Sequence, residues 1–243
     1  MSVRIVAATL IALCGYARAE SQFQVEPTRV DLSAAAPAGA IEITNRGTTV
    51  LRLQLSAQKW HDDKNGAMQL EPSNDVIVRP ALVEIAPGRS RTIRVGTVAS
   101  AAVVEGSYRV FAEELPDRGV HPSMQVQVRT RIGVPVFIAP KQRGKVALTE
   151  EVVLGTASDA KVVVANAGTQ HVKLTRVAVT ARHQGAAVWR HEAAGWYVLS
   201  GAQREFSIAL ADDACKPGDT IEVQAIDEDG LVYAMKPRRC DEP

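Results

Sequence analysis

The side chains that most often carry catalysis or hold metals are sparse in this sequence. Two of its five histidines lie eight residues apart and the others stand alone, whereas metal ligands cluster at short, regular spacings. They are His61, His121, His171, His183 and His191. The sequence contains no Gly-x-Ser-x-Gly elbow and no glycine-rich phosphate loop. We therefore expect no enzyme activity, no metal and no cofactor.

Residues 123–139 indicate a different chemistry, the pairing of strands. Apolar or threonine side chains occupy every second position there, so in a strand they would project to one face. They are Met124, Val126, Val128, Thr130, Ile132, Val134, Val136 and Ile138. The stretch predicts a strand of about 15 residues, where about 5 to 6 are usual.

Pro135 adds information about the position of this strand. Because proline cannot donate a ladder hydrogen bond, it favours the edge of a sheet. An apolar edge strand is a hazard unless it serves to pair with a strand of another chain. The simpler alternative is an ordinary sandwich strand that buries its apolar face in its own core.

The rest of the sequence supplies the elements that would position this strand. Short runs rich in Val, Ile and Thr alternate with polar residues and end at turn signals such as Asn45-Arg46-Gly47 and Asn166-Ala167-Gly168. No long stretch has helical periodicity. The pattern predicts an all-β chain of β-sandwiches.

Two domains are predicted from the length and from one break in composition. At residues 140–144 an apolar strand gives way to proline, glycine and two positive charges. This linker separates an N-terminal domain, residues 20–139, from a C-terminal domain, residues 145–243, each of a size suited to one sandwich. Residues 41–47 and 162–168 resemble each other, which indicates two related units.

The first 19 residues predict a cleaved signal peptide. Arg4 precedes an apolar run at residues 5–14, and Ala17-Arg18-Ala19 is a small-x-small cleavage site. The apolar run is well short of the roughly 20 residues that span a bilayer. We therefore expect cleavage near Ala19 and a periplasmic protein.

Cleavage would change the cysteine count and the charge. Cys14 would be removed, and the pair Cys215 and Cys240 would form one disulfide in an oxidising compartment. Loss of Arg4 and Arg18 would reduce the 28 basic residues to 26 against 27 acidic ones, a formal charge of −1. This balance predicts neither a nucleic-acid partner nor insertion into a membrane.

Three segments together resemble a known family, the periplasmic PapD-like chaperones of the chaperone–usher pilus pathway. They are residues 25–30 (Val-Glu-Pro-Thr-Arg-Val), residues 86–95 and residues 106–116, which precede the alternating stretch. Their order and spacing fit across nearly the whole predicted mature chain. The segment at residues 131–140, with Pro135-Val136-Phe137, is most similar to the branch that assembles thin pili of the spore-coat-U type.

The resemblance implies two immunoglobulin-like domains in tandem, set at an angle with a cleft between them, and a function without catalysis. Such a chaperone lends its long strand, here residues 123–139, to pilus subunits that lack their last strand, and delivers them to an outer-membrane usher. This is donor-strand complementation. The inserted side chains would be Met124, Val126, Val128, Ile132 and Val134.

The resemblance also implies a pair of basic residues that hold the subunit's C-terminal carboxylate in the cleft. Arg29 matches the family's arginine by its position in the first motif, and a guanidinium fork suits a carboxylate. Gly133 stands where the family has a lysine, so Arg131, two residues earlier on the same face, is the candidate for the second anchor.

One alternative from another class stays open at this stage, an immunoglobulin-like adhesin or structural pilus component. Such a subunit should carry an N-terminal extension of alternating apolar residues, and residues 20–24 are too few for one. The identity of the subunits and of the usher, and self-association before a subunit is loaded, are likewise open from the sequence.

Overall fold

The computed structural model describes residues 23–116, 128–154, 159–209, 216, 218–234 and 236–240. Within those ranges every regular element is a β-strand, as the sequence pattern predicted. The signal peptide, His121, Met124, Val126 and Cys215 lie outside them.

The described residues of the first domain form ten strands in two facing sheets. One sheet has the order β1-β3-β8-β6, and the other has β2-β10-β9-β4-β5 with β7 also paired to β4. The strands are β1 (Phe23–Glu26), β2 (Val30–Leu32), β3 (Ala38–Asn45), β4 (Leu51–Asp62), β5 (Met68–Pro72), β6 (Val76–Arg79), β7 (Leu82–Ile85), β8 (Ser90–Thr97), β9 (Gly106–Glu114) and β10 (Arg131–Ile138).

The second domain has the same two-sheet plan. A small sheet, β11-β12-β16, faces a larger one, β14-β13-β17-β18, to which β15 and β19 add short pairings. The strands are β11 (Leu148–Leu154), β12 (Asp159–Asn166), β13 (Val172–His183), β14 (Ala186–Ala194), β15 (Tyr197–Val198), β16 (Gln203–Ala209), β17 (Thr220–Asp227), β18 (Val232–Ala234) and β19 (Arg238–Arg239).

Each domain encloses its own apolar core, formed by the inward positions of alternating strands. In the first, Ile43, Leu53 and Val110 are fully buried, and in the second Val164 and Val177 are. These β-branched and leucine side chains fit a pleated surface that is buried on one face. The predicted all-β, two-sandwich fold is thus confirmed, while the domain limits at residues 139 and 145 stay a prediction.

The resemblance between residues 41–47 and 162–168 corresponds to a shared buried turn. The side-chain nitrogen of Asn45 donates to the carbonyls of Thr49 and Ile85, both at 2.8 Å. Asn166 donates in the same way to Gln170 at 2.8 Å and to Val198 at 3.3 Å. Both asparagines are 1% exposed, so these bonds satisfy amides that would otherwise be costly to bury.

Arg29 lies where the chain passes from one sheet of the first domain to the other. β1 pairs with β3, and after Pro27 the chain continues as β2, which pairs in parallel with β10 in the facing sheet. The ladder between β2 and β10 begins at Val30 and Val136. Pro135, which has no N–H to donate, comes immediately before the first residue of β10 in this ladder.

Cys240 packs against the core of the second domain. Because Cys215 lies outside the described residues, its pairing with Cys240 stays a prediction. Among the described residues, none belongs to a helix with the length and apolarity needed to span a bilayer.

Candidate functional site

One edge of β10 is open along its first half. On one side β10 pairs with β9 over its whole length, but on the other side β2 covers only Val136–Ile138. Residues 131–135 therefore have no strand beside them on that side among the described residues. This places Pro135 at a sheet edge, as predicted, and leaves backbone groups available to a further strand.

The described part of the alternating stretch is a shorter strand than the sequence predicted. β10 begins at Arg131, and the three preceding residues are described outside any strand. Val128, one of the predicted donor residues, is 81% exposed. Its side chain is thus free of this chain's own cores.

Val134, the last of the predicted donor residues, has a different environment from Val128. Val134 is 3% exposed and belongs to the core of its own domain, and Ile132 packs against the same core. Val134 is therefore not free to enter a partner's groove in this structure. Ile132 therefore lies at the boundary between the exposed part of the apolar face, which includes Val128, and the buried part, which includes Val134.

A cleft of about 570 Å³ runs beside β2 and is lined by residues of both domains and of the predicted linker. Its basic residues are Arg29, Lys141, Arg143 and Lys173, and its acidic residues are Asp31, Glu105, Asp227, Glu228 and Asp229. Arg29 thus lies in a cleft between the domains, as the resemblance implied.

Arg29 is held in the cleft by two carboxylates. Its Nε lies 2.9 Å from Asp31 of the same domain, and its Nη1 donates to Glu228 of the second domain. Burial acts to lower the pKa of Arg29, but its hydrogen bond to Glu228 and the charge of Asp31 raise it overall. The guanidinium is therefore a permanent positive charge, and about a third of the side chain is exposed.

The structure does not bring Arg131 to this cleft. Arg131 stacks on Phe111, with 3.8 Å between its Cζ and the ring centroid, and lies 3.5 Å from Glu113. It is not among the residues that line the cleft. In this structure Arg29 and Arg131 therefore do not line the same cleft.

Gly133, which stands where the family has a lysine, has no room for a side chain. A Cβ at this position would lie 2.8 Å from Phe111 Cε1 and 3.4 Å from Arg109 Nη1. Phe111 and Arg109 thus occupy the space that a side chain at Gly133 would need.

Arg109 is a buried cation that the sequence reasoning missed. It is 9% exposed, and its Cζ lies 4.3 Å from the Trp60 ring centroid. Burial lowers the pKa of this guanidinium from its ordinary value. No local signal marked it, because Arg109 alternates with the core residues Tyr108 and Val110 and so lies on the other face of β9, where an arginine is usually solvated.

An aromatic seam joins the two domains next to this site. Trp60 and Phe137 of the first domain pack with Tyr197 and Leu199 of the second. The ring centroid of Trp60 is 5.6 Å from that of Tyr197 and 6.1 Å from that of Phe137. The open strand is therefore anchored at its far end, through Phe137, to the second domain.

A buried acid–histidine pair extends the seam. Glu105 accepts hydrogen bonds from the backbone N–H of His171 at 2.9 Å and pairs with its Nδ1 at 2.6 Å. The His171 ring stacks on Phe137 at a centroid distance of 3.5 Å. His171 thus has a structural partner, and no cluster of potential metal ligands occurs within the described ranges.

The fold and the site define a two-domain immunoglobulin-like protein with an open strand edge and a cleft lined by both basic and acidic residues. A family model described as "Pili and flagellar-assembly chaperone, PapD N-terminal domain" matches residues 22–143. The chain belongs to this family. No curated protein matches the chain significantly.

Solved structures with the same fold cover nearly the whole chain. A complex of the chaperone CsuC with the tip subunit CsuE from archaic chaperone–usher Csu pili of Acinetobacter baumannii matches at 19% identity and TM-score 0.64, covering 88% of this chain and 97% of that one. The YadV chaperone matches at 14% identity and TM-score 0.59, covering 90% and 99%. The Pseudomonas aeruginosa CupB2 chaperone matches at 15% identity and TM-score 0.52, covering 88% and 99%.

Proposed function

We propose that this chain is a periplasmic chaperone that binds pilus subunits by donor-strand complementation and delivers them to an outer-membrane usher. The observation that carries the proposal is the open edge of β10 at residues 131–135, with the exposed Val128 immediately before it. An extended segment of a guest can add to such an edge through backbone hydrogen bonds. Membership of the pilus chaperone family supports the same function.

The donor side chains are Met124, Val126 and Val128, with Ile132 at the boundary. Each large apolar side chain that leaves water for a groove contributes about 1.5–3 kcal/mol. Three such insertions contribute about 4.5–9 kcal/mol, and the backbone pairing adds to this against an entropy cost of association of about 4–15 kcal/mol. Val134 belongs to the interior of the chaperone itself and stabilises the strand from which the donor segment extends.

Arg29 is the anchor for the C-terminal carboxylate of the subunit. It carries a permanent charge, lines the cleft beside β2 and is partly open to solvent. A bidentate guanidinium–carboxylate pair would fix the end of the guest chain and thereby set its register along β10. The signal peptide and an oxidised Cys215–Cys240 pair suit work in the periplasm.

The donor strand is tested by co-expressing the mature chain with a candidate pilus subunit and measuring how much subunit co-purifies. Val126→Asp and Val128→Asp should each lose most of the subunit, because a charge would have to enter the guest's apolar groove. The matched control is Val188→Asp, which changes a 56% exposed valine on β14 in the second domain and should retain the subunit. Full retention by both donor-strand variants would rule out the proposed mode of binding.

A further inference from the structure

The guanidinium proposed to hold a guest's carboxylate already holds a carboxylate of the chain itself. Glu228 Oε1 accepts a hydrogen bond from Arg29 Nη1, and Glu228 Oε2 lies 3.2 Å from Lys173 Nζ. Glu228 thus bridges two cations that line one cleft, one from each domain. Its carboxylate presents to Arg29 the same chemical group that a chain terminus would present.

The hairpin that carries Glu228 is held firmly in place. The Glu228 backbone N–H donates to the Lys173 carbonyl at 3.0 Å. The neighbouring Asp227 carboxylate accepts hydrogen bonds from the backbone N–H groups of Asp229 at 3.0 Å and Leu231 at 2.8 Å, which closes the turn. Glu228 therefore reaches Arg29 from a fixed support on the second domain.

Glu228 is ionised in this position. Burial acts to raise the pKa of its carboxyl group, but hydrogen bonds from Arg29 and Lys173 outweigh it and hold the pKa below its ordinary value. A second carboxylate on the same side of Arg29 would meet a like charge within a few ångströms. A guest's terminus can therefore use the fork of Arg29 fully only if Glu228 withdraws from it.

We propose that Glu228 is a built-in competitor of the guest's terminal carboxylate, pairing with Arg29 in the empty chaperone and giving way to the guest on loading. This inference rests on the proposed role of Arg29. Lys173 gives Glu228 a second partner, so the displaced carboxylate stays paired after it leaves Arg29. In the empty chaperone the competitor shares Arg29 with Asp31 and occupies its Nη1, and it lowers the affinity for every guest that needs Arg29.

The competitor is tested with the mature chain and synthetic peptides that carry the last strand of the co-purified subunit, made with a free C-terminal carboxylate or with a carboxamide. Glu228→Gln keeps the shape of the side chain and removes the charge, so the free-acid peptide should bind about fivefold tighter. The carboxamide peptide should gain nothing from this substitution, because it has no carboxylate to compete. Affinities are measured by calorimetry.

Glu222→Gln is the matched control, since it makes the same substitution at a carboxylate of the second domain that pairs with Arg182 at 2.8 Å and does not line the cleft. The free-acid peptide should bind this variant as it binds the parent. Unchanged or weaker binding of the free acid to Glu228→Gln, while Arg29→Ala still abolishes the preference for the free acid, overturns the competitor and leaves the anchor standing. Equal binding of both peptides to the parent chain overturns the anchor itself.

Discussion

Replacing Trp60 with alanine should lower the free energy of unfolding by about 3–5 kcal/mol, the cost typical of truncating a buried tryptophan. Trp60 is 2% exposed and lies at the centre of the aromatic seam, against Phe137, Tyr197 and the guanidinium of Arg109. The loss should also uncouple the domains, so that unfolding in urea, followed by tryptophan fluorescence and circular dichroism, resolves into two transitions.

Trp196→Ala provides the control for this prediction. Trp196 also adjoins the seam, with its ring centroid 6.0 Å from that of Tyr197, but it is 43% exposed. Because much less apolar surface leaves water there, the expected cost is about 1 kcal/mol. Equal losses from the two substitutions would show that the seam does not depend on the buried ring of Trp60.

Arg29→Ala should weaken subunit binding by about tenfold or more, since a charge-assisted, bidentate pair with a carboxylate contributes about 1.5–3 kcal/mol. Arg29→Lys keeps the charge without the planar fork and should lie between the parent and the alanine variant. The measurement is the dissociation constant of the purified chaperone–subunit complex, determined by competition with a labelled subunit.

Arg131→Ala is the informative comparison, because the sequence predicted Arg131 as the second anchor and the structure has it on Phe111, outside the cleft. We expect a change of less than about threefold, the range of an exposed ion pair. A loss from Arg131→Ala as large as that from Arg29→Ala would restore the two-arginine anchor and contradict the assignment made from the cleft.

The all-β fold could be predicted from the sequence because it depends on local signals. Short runs rich in β-branched residues define strands such as β3 and β12, and the shared Asn-x-Gly turns indicate that Asn45 and Asn166 occupy equivalent places. Arg29 was predicted from the resemblance of residues 25–30 to the family's first motif. These features need only neighbouring residues to be recognised.

Alternation alone could not predict where β10 changes its surroundings. Its period of two is the same whether a face enters the chain's own core or a partner's groove. The pattern therefore predicted a strand over residues 123–139 and grouped Val134 with the donor residues. In the structure the described strand begins at Arg131, and Val134 is buried in the core of its own domain. Whether a side chain in this alternation is buried, like Val134, or exposed, like Val128, depends on the packing between the sheets.

The contacts between the domains could not be predicted from the sequence, because they join residues that are far apart along the chain. Glu228 and Arg29 are 199 positions apart, and Glu105 and His171 are 66 apart, so no local spacing marks either pair. Arg109 was overlooked because an arginine in a strand is usually solvated, and its burial depends on Trp60 and the second domain. These contacts exist only in the folded chain, where the two sandwiches pack against each other.

Hydrogen exchange with and without a bound subunit tests the central claim most directly. The amides of residues 131–134 that point away from β9 have no partner strand within the part of the chain that the structure describes, so they should exchange fast when free and become strongly protected in the complex. Amides on the opposite, paired side of β10 should change little. Unprotected outward amides at residues 131–134 in a complex that is fully loaded would contradict the pairing of β10 with a guest strand.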